Sequence, residues 1–221
     1  MKFLFFLFCI SALFSCKKTE VQPPLIFSEA SYKMTIAMNW TSPQFGVPAG
    51  AHVTTLIGMT HSKDTFLWKE NVLATPGLED VAEVGNTIKM NAELDAIIGM
   101  NKAGSKFQIP APANTGIAET TVNPNTVFSN ISFASMIAPS PDWFMGISNV
   151  SLLQNNKWLD SLTLHIKVYD AGTEEGDVFG YNNPSTIPQQ PVSLLTPANG
   201  SVMANGNTSI VPIATIRFIK I

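Results

Sequence analysis

Tyr32, Met34, Ile36 and Met38 alternate with Lys33, Thr35, Ala37 and Asn39, the two-residue period of a strand with one buried face. The same period runs through Leu162, Leu164, Ile166 and Val168, so the pattern predicts a strand that ends just before Asp170. Apolar runs at Val53–Met59, Thr65–Trp68 and Val127–Met136 read as further strands, and the partly alternating run 213–221 reads as a last one held inside a sheet. Helical signals are few. Asn91 predicts a cap for a short helix over 92–98 closed by Gly99, and 76–83 predicts a turn or two. Residues 110–125, rich in Pro, Asn, Thr and Ala, predict a long surface loop. Helices this short cannot serve as the crossovers of repeated βαβ units, so the pattern predicts an all-β fold, an antiparallel sandwich with short helical insertions.

The first residues follow a different logic. Lys2 precedes an apolar run from Phe3 to Phe14 that ends Leu13-Phe14-Ser15-Cys16 and gives way to Lys17-Lys18. A charged start and about a dozen apolar residues read as an export signal, too short to span a membrane. The Leu-x-Ser-Cys ending looks like a bacterial lipoprotein box, which makes 1–15 the signal and Cys16 the lipidated residue. Residues 16–28, with Pro23-Pro24, read as a tether, and 29–221 as one folded domain. With Cys9 removed and Cys16 acylated, neither of the chain's 2 cysteines is left for a disulfide. Loss of the signal takes the formal charge from -3 to -4, because Lys2 is its one charged residue. Such a chain has no broad basic surface, so nucleic acid is not an expected partner.

Only 13% of the residues are charged, yet Asp170, Glu174, Glu175 and Asp177 fall within one short stretch. Calcium takes oxygen ligands in loops, and a turn through Gly172 would bring the Asp170 and Glu174 carboxylates around one ion. Asp142, in the turn Pro139-Ser140-Pro141-Asp142, would join them if both connections lie at one end of the sandwich. Unneutralised, these charges would repel one another. The alternative is a solvated acidic turn beside an unrelated Asx-turn.

Familiar catalytic signatures are missing: the chain has no Gly-x-Ser-x-Gly, His-Glu-x-x-His, phosphate loop or dinucleotide fingerprint. His52 and His61 would lie on opposite faces of a regular strand and share zinc only across a bulge, while His165 reads as a surface residue. Trp68, Trp143 and Trp158 adjoin apolar runs and read as core anchors rather than as a ligand platform.

Several elements, taken together, resemble the spondin amino-terminal domain family: Trp40-Thr-Ser-Pro43, Leu56-Ile-Gly-Met-Thr-His61, Leu67-Trp68, Gly77-Leu-Glu-Asp-Val-Ala-Glu83, Pro139-Ser-Pro-Asp-Trp143, Tyr169-Asp-Ala-Gly-Thr173 and Thr186-Ile-Pro-Gln189. The resemblance runs from about Ser31 to the C-terminus. It implies an eight-stranded, C2-like antiparallel β-sandwich with Ca2+ at one end, held by Asp142, Asp170 and Glu174. The family usually has Asp at the third of these places, so the longer Glu174 would shift the ion, bind it more weakly or grip it with both oxygens. Glu175 and Asp177 are alternatives if the turn changes register. The resemblance also implies a non-enzymatic adhesion or interaction domain, here a monomer carried by lipid on the outer membrane, periplasmic or surface-exposed, with an envelope or extracellular protein or a glycan as partner. The rival readings are a calcium-supported hydrolase, whose mark would be a pocket joining His52 or His61 to the acids, and a structural part of an envelope assembly, whose mark would be an apolar patch away from the acidic end.

Overall fold

The computed structural model describes residues 26–41, 47–196 and 212–221. The signal, Cys16 and the tether as far as Leu25 lie outside the described residues. In chain order the elements are β1 (Tyr32–Met38), β2 (His52–Val53), β3 (Leu56–His61), α1 (Pro76–Val84), α2 (Ile88–Gly99), β4 (Ala103–Ile109), β5 (Ile117–Val122), β6 (Asn130–Ala138), β7 (Trp143–Ser151), β8 (Leu153–Gln154), β9 (Lys157–Trp158), β10 (Ser161–Asp170), β11 (Ser193–Leu194) and β12 (Ala214–Lys220).

Eight strands form one antiparallel path in the order β4-β3-β6-β7-β10-β12-β1-β5, and the short β2 and β11 add to β6 and β10. The path folds over on itself because β10 changes partners along its length: Ser161–Ile166 pair with β12, whereas Lys167–Asp170 pair with β7. The two halves enclose a core in which Tyr32, Met34 and Ile36 of β1 and Ile216 and Phe218 of β12 face Phe133 of β6 and Trp143 and Met145 of β7. β12 lies between β10 and β1, so the final apolar run is an interior strand. Phe218 is fully buried there, and Phe218→Ala should cost about 3–5 kcal/mol, read as a lower urea midpoint with an unchanged slope.

β3 and β6 are buried at every position, which a sandwich of two layers would not require. Their outer faces, with that of the neighbouring β7, pack against the helices: Ile57 and Met59 of β3, Ala134 of β6 and Phe144 of β7 cluster with Leu78, Val81 and Ala82 of α1 and Met90 and Leu94 of α2. The helical insertions therefore act as a third layer. α1 begins at a Thr75 cap whose hydroxyl accepts the Leu78 N–H, has Pro76 at its first position, and ends at Gly85 with φ 66°.

Four sequence expectations are corrected. α2 starts at Ile88 and not after Asn91: Asn86 Oδ1 accepts the Ile88 N–H, and the Asn91 amide turns back to the Thr87 carbonyl. The Val53–Met59 run breaks at Thr54-Thr55, where Thr54 Oγ1 accepts the Met136 N–H in place of a ladder bond. Thr65–Trp68 is not a strand; Trp68 is fixed by its indole N–H, which donates to the Phe133 carbonyl at 2.9 Å. Within 110–125 lies β5, paired with β1 and burying only Ala118 and Val122.

Candidate functional site

The β6–β7 turn is tied by the Ser140 side chain. Its hydroxyl donates to the Ile137 carbonyl and accepts the Trp143 N–H at 3.2 Å. This places Asp142 directly before Trp143, the residue that pairs with Asp170 at the end of β10. The two aspartates thus share one end of the fold because β7 and β10 are hydrogen-bonded neighbours.

After Asp170 the chain folds back through Gly172, whose φ is 76° and whose N–H donates to Asp170 Oδ1 at 2.7 Å. Thr173 and Glu174 then wrap around Asp142. Asp142 Oδ2 accepts the Thr173 N–H at 2.6 Å, the Thr173 hydroxyl at 3.2 Å and the Glu174 N–H at 3.1 Å. The fold-back is held from outside by Gln190 N–H to the Gly172 carbonyl, Thr186 N–H to Thr173 and Glu175 N–H to Pro184.

Asp142 is 0% exposed, and while Oδ2 has three donors, Oδ1 is buried with no hydrogen-bond partner. A buried carboxylate oxygen left unpaired is costly unless a proton or a cation meets it. Burial raises the Asp142 pKa against the pull of its N–H donors. Asp170 is pushed up to about 7 by burial and then by the charge of Asp142. Glu174 also rises to about 7, through burial and the charges of Glu83 and Asp142. The three residues expected from the sequence therefore come to one end and feel one another. Glu175 and Asp177 are exposed and line, with Asp170 and Glu174, a cleft of about 460 Å³.

Glu83, near the C-terminal end of α1, is the acid that sequence reasoning missed. Its pKa is raised by burial, with the charges of Glu79 and Asp142 adding to the rise. Its signal was its place next to Leu78, Val81 and Ala82, the helix face turned to the sheet. As they stand, among the described residues no three His, Cys, Asp or Glu side chains form a ready metal-holding group. Asp142, Asp170 and Glu174 nevertheless offer only hard carboxylate oxygens, the ligand type that calcium takes.

The histidines have other roles. His61 is fully buried and its pKa is lowered, chiefly by burial. Nδ1 donates to the Ser62 carbonyl and Nε2 accepts from the Ser132 hydroxyl, each at 2.8 Å. Ser132 Oγ also accepts the Asn149 N–H, and Ser132 is itself fully buried, so the pair has no room for a substrate. His52 is exposed and bonds the Gly50 carbonyl, and His165 is exposed. The cleft at the acidic end includes neither His52 nor His61. Trp68 and Trp143 are buried, and Trp158 is half-buried against Tyr32, as core anchors should be.

A folded-over antiparallel sheet with acids gathered by the loops at one end defines an all-β module whose distinctive chemistry lies in its loops. The spondin amino-terminal family model, Spondin_N, matches residues 30–206, and the chain belongs to that family. Rat Spondin-2 is 32% identical over 206 residues, covering 87% of this chain and 62% of the rat protein. Human Spondin-2 is 31% identical over the same length, and mouse Spondin-1 is 32% identical over 181 residues, 76% of this chain and 22% of its own. The chain thus spans less than two thirds of these relatives. Among the described residues no helix is long and apolar enough to cross a membrane.

Proposed function

We propose that the protein is a non-catalytic extracytoplasmic interaction module in which Ca2+ fixes the loops at the acidic end, and that lipid on Cys16 attaches it to the outer membrane. The observation that carries the calcium reading is the fully buried Asp142 with one unpartnered oxygen beside two further carboxylates of raised pKa. Asp142, Asp170 and Glu174 would hold the ion, and Glu83 adds negative charge behind it. When bound, the ion supplies positive charge that relieves the repulsion among these acids. The chain's own part is to aim the carboxylates: Gly172 makes the fold-back, Thr173 and Glu174 fix one Asp142 oxygen, and Ser140 fixes the turn that carries it. Membership of the spondin family supports adhesion or molecular recognition as the use of such a surface. The partner is a protein or glycan outside the cytoplasm.

Metal analysis of protein purified without added ions tests the site. About one calcium per chain is expected in the wild type and far less in Asp170→Asn, with both proteins folded by circular dichroism. Metal-free wild-type protein whose stability is the same in calcium and in chelator would sink the proposal.

A further inference from the structure

The end of the fold opposite the acids has a character of its own. Ser28 and Thr126 exchange backbone and side-chain hydrogen bonds, Glu29 bridges Asn125, and the Ile221 N–H reaches the Ser31 carbonyl. The Trp158 indole N–H donates to Ser28 Oγ at 3.0 Å, and the Lys220 N–H donates to the Asp160 carbonyl. Four stretches of chain, near residues 26–31, 123–127, 157–160 and 219–221, therefore converge on one end. Each leaves apolar or aromatic surface in water there. Ile26 is 81% exposed, Phe27 62%, Val127 52% and Ile221 71%, and Trp158 stands half-buried among them.

This end is also where the chain arrives from Cys16. Nine residues separate Cys16 from Ile26, so even a fully extended connection reaches only about 35 Å. β10 starts at this end, where Ser161 pairs with Ile219, and finishes at Asp170, nine residue steps or about 30 Å away. From these placements, and resting on the lipid-anchoring reading above, we infer that Ile26, Phe27, Val127, Trp158 and Ile221 form a membrane-seating surface. They rest on the bilayer that holds the Cys16 lipid, and the acidic end is turned outward to meet a partner from the far side.

The chemistry of the surface favours lipid. Half-buried Trp with apolar neighbours suits the bilayer interface, where the ring can be apolar on one side and wet on the other. Lys157 and Lys220 can lay their stems on the same interface with their ammonium groups in water. Glu29 and Asp160 balance those two charges, and Lys220 is paired with Asp160 at 2.8 Å. Seating is therefore driven by apolar contact, and it should occur on neutral vesicles and resist salt.

The test uses the full acylated chain, which has no other thiol once Cys16 is modified and the signal removed. Val127→Cys and Ile187→Cys, one at each end and both at exposed positions, are labelled with an environment-sensitive fluorophore. The proteins are placed in phosphatidylcholine vesicles containing a spin-labelled quencher lipid. The probe at 127 is expected to be quenched about threefold more than the probe at 187, and Phe27→Asp should reduce that ratio without unfolding the domain. Equal quenching, stronger quenching at 187, or protection of 127 by a second copy of the chain detected by crosslinking overturns the inference. The mass of the peptide carrying Cys16 reports separately on the anchor: an unmodified peptide and a protein that does not float with vesicles overturn the lipid reading and this inference with it.

Discussion

Gly172→Ala should be among the most damaging single-atom additions in the molecule, lowering stability by about 3 kcal/mol and abolishing the response to calcium. Two independent costs meet at this position. At φ 76° a β-carbon is strained by about 1–2 kcal/mol before it touches anything. It would also lie 2.1 Å from the Gln190 carbonyl oxygen and 2.6 Å from its carbon, backbone atoms that cannot rotate aside. The two segments must part, and the 2.8 Å bond from the Gln190 N–H to the Gly172 carbonyl goes with them, worth about 1 kcal/mol. The consequence reaches the site because Thr173 and Glu174, the next two residues, supply the N–H groups that hold Asp142. Gly99→Ala is the control: nothing lies within 4 Å of its new methyl group, so stability should change by less than about 1 kcal/mol. Urea unfolding of the two variants, each with calcium and with chelator, separates a loop effect from a general loss of packing. If Gly172→Ala kept the full calcium-dependent gain in stability, the fold-back would not be what builds the site.

The parts of this fold that were legible in the sequence are those where one face is wet. In β1 the buried set Tyr32, Met34, Ile36 and Met38 alternates with less buried positions, and the period alone locates the strand. β10 and β12 were readable for the same reason. β6 is buried throughout because a helical layer covers its outer face, so it shows only as an apolar run without phase. β5 escaped notice because it is at the end of the strand path and buries just two small or medium side chains, among residues whose composition is that of a loop. At the site, Asp142, Asp170 and Glu174 stood out as acids in a charge-poor chain, and the Gly172 turn was foreseeable. Glu83 was not, since its nearness to Asp142 comes from packing α1 against β6 and β7, and its one local mark, a place beside the buried Leu78, Val81 and Ala82, says that it lies near the sheet and not which acid it meets.

Protonation should act on the metal-free protein as a weak substitute for the cation, which gives the acidic end a testable pH signature. Asp170 and Glu174 both rise to about 7, so in their range the folded state binds more protons than the unfolded state. Groups of that kind contribute stability that is fully present below their unfolded pKa near 4 and is lost as the pH rises through about 7. In chelator, the melting temperature should therefore increase as the pH is lowered from about 8 to about 6.5. Below about 6.5 His61 opposes the trend, because its lowered pKa makes the unfolded chain the better proton acceptor there. With two carboxyls gaining protons in the folded state against one His61 in the unfolded state, the metal-free protein should go on gaining stability below about pH 6.5, but less steeply than above it. Saturating calcium should reverse the upper limb, since the ion holds the carboxylates ionised and protons compete with it. Asp142→Asn separates the two effects. It removes the charge that helps raise both neighbours, so the slope between about pH 8 and 6.5 should flatten, and the calcium response should disappear with the lost carboxylate. Calorimetric scans across this pH range, with calcium and with chelator, read both outcomes. A wild-type protein that loses stability steadily from pH 8 downward in chelator would mean that the buried carboxylates are already neutralised by protein groups and need no ion.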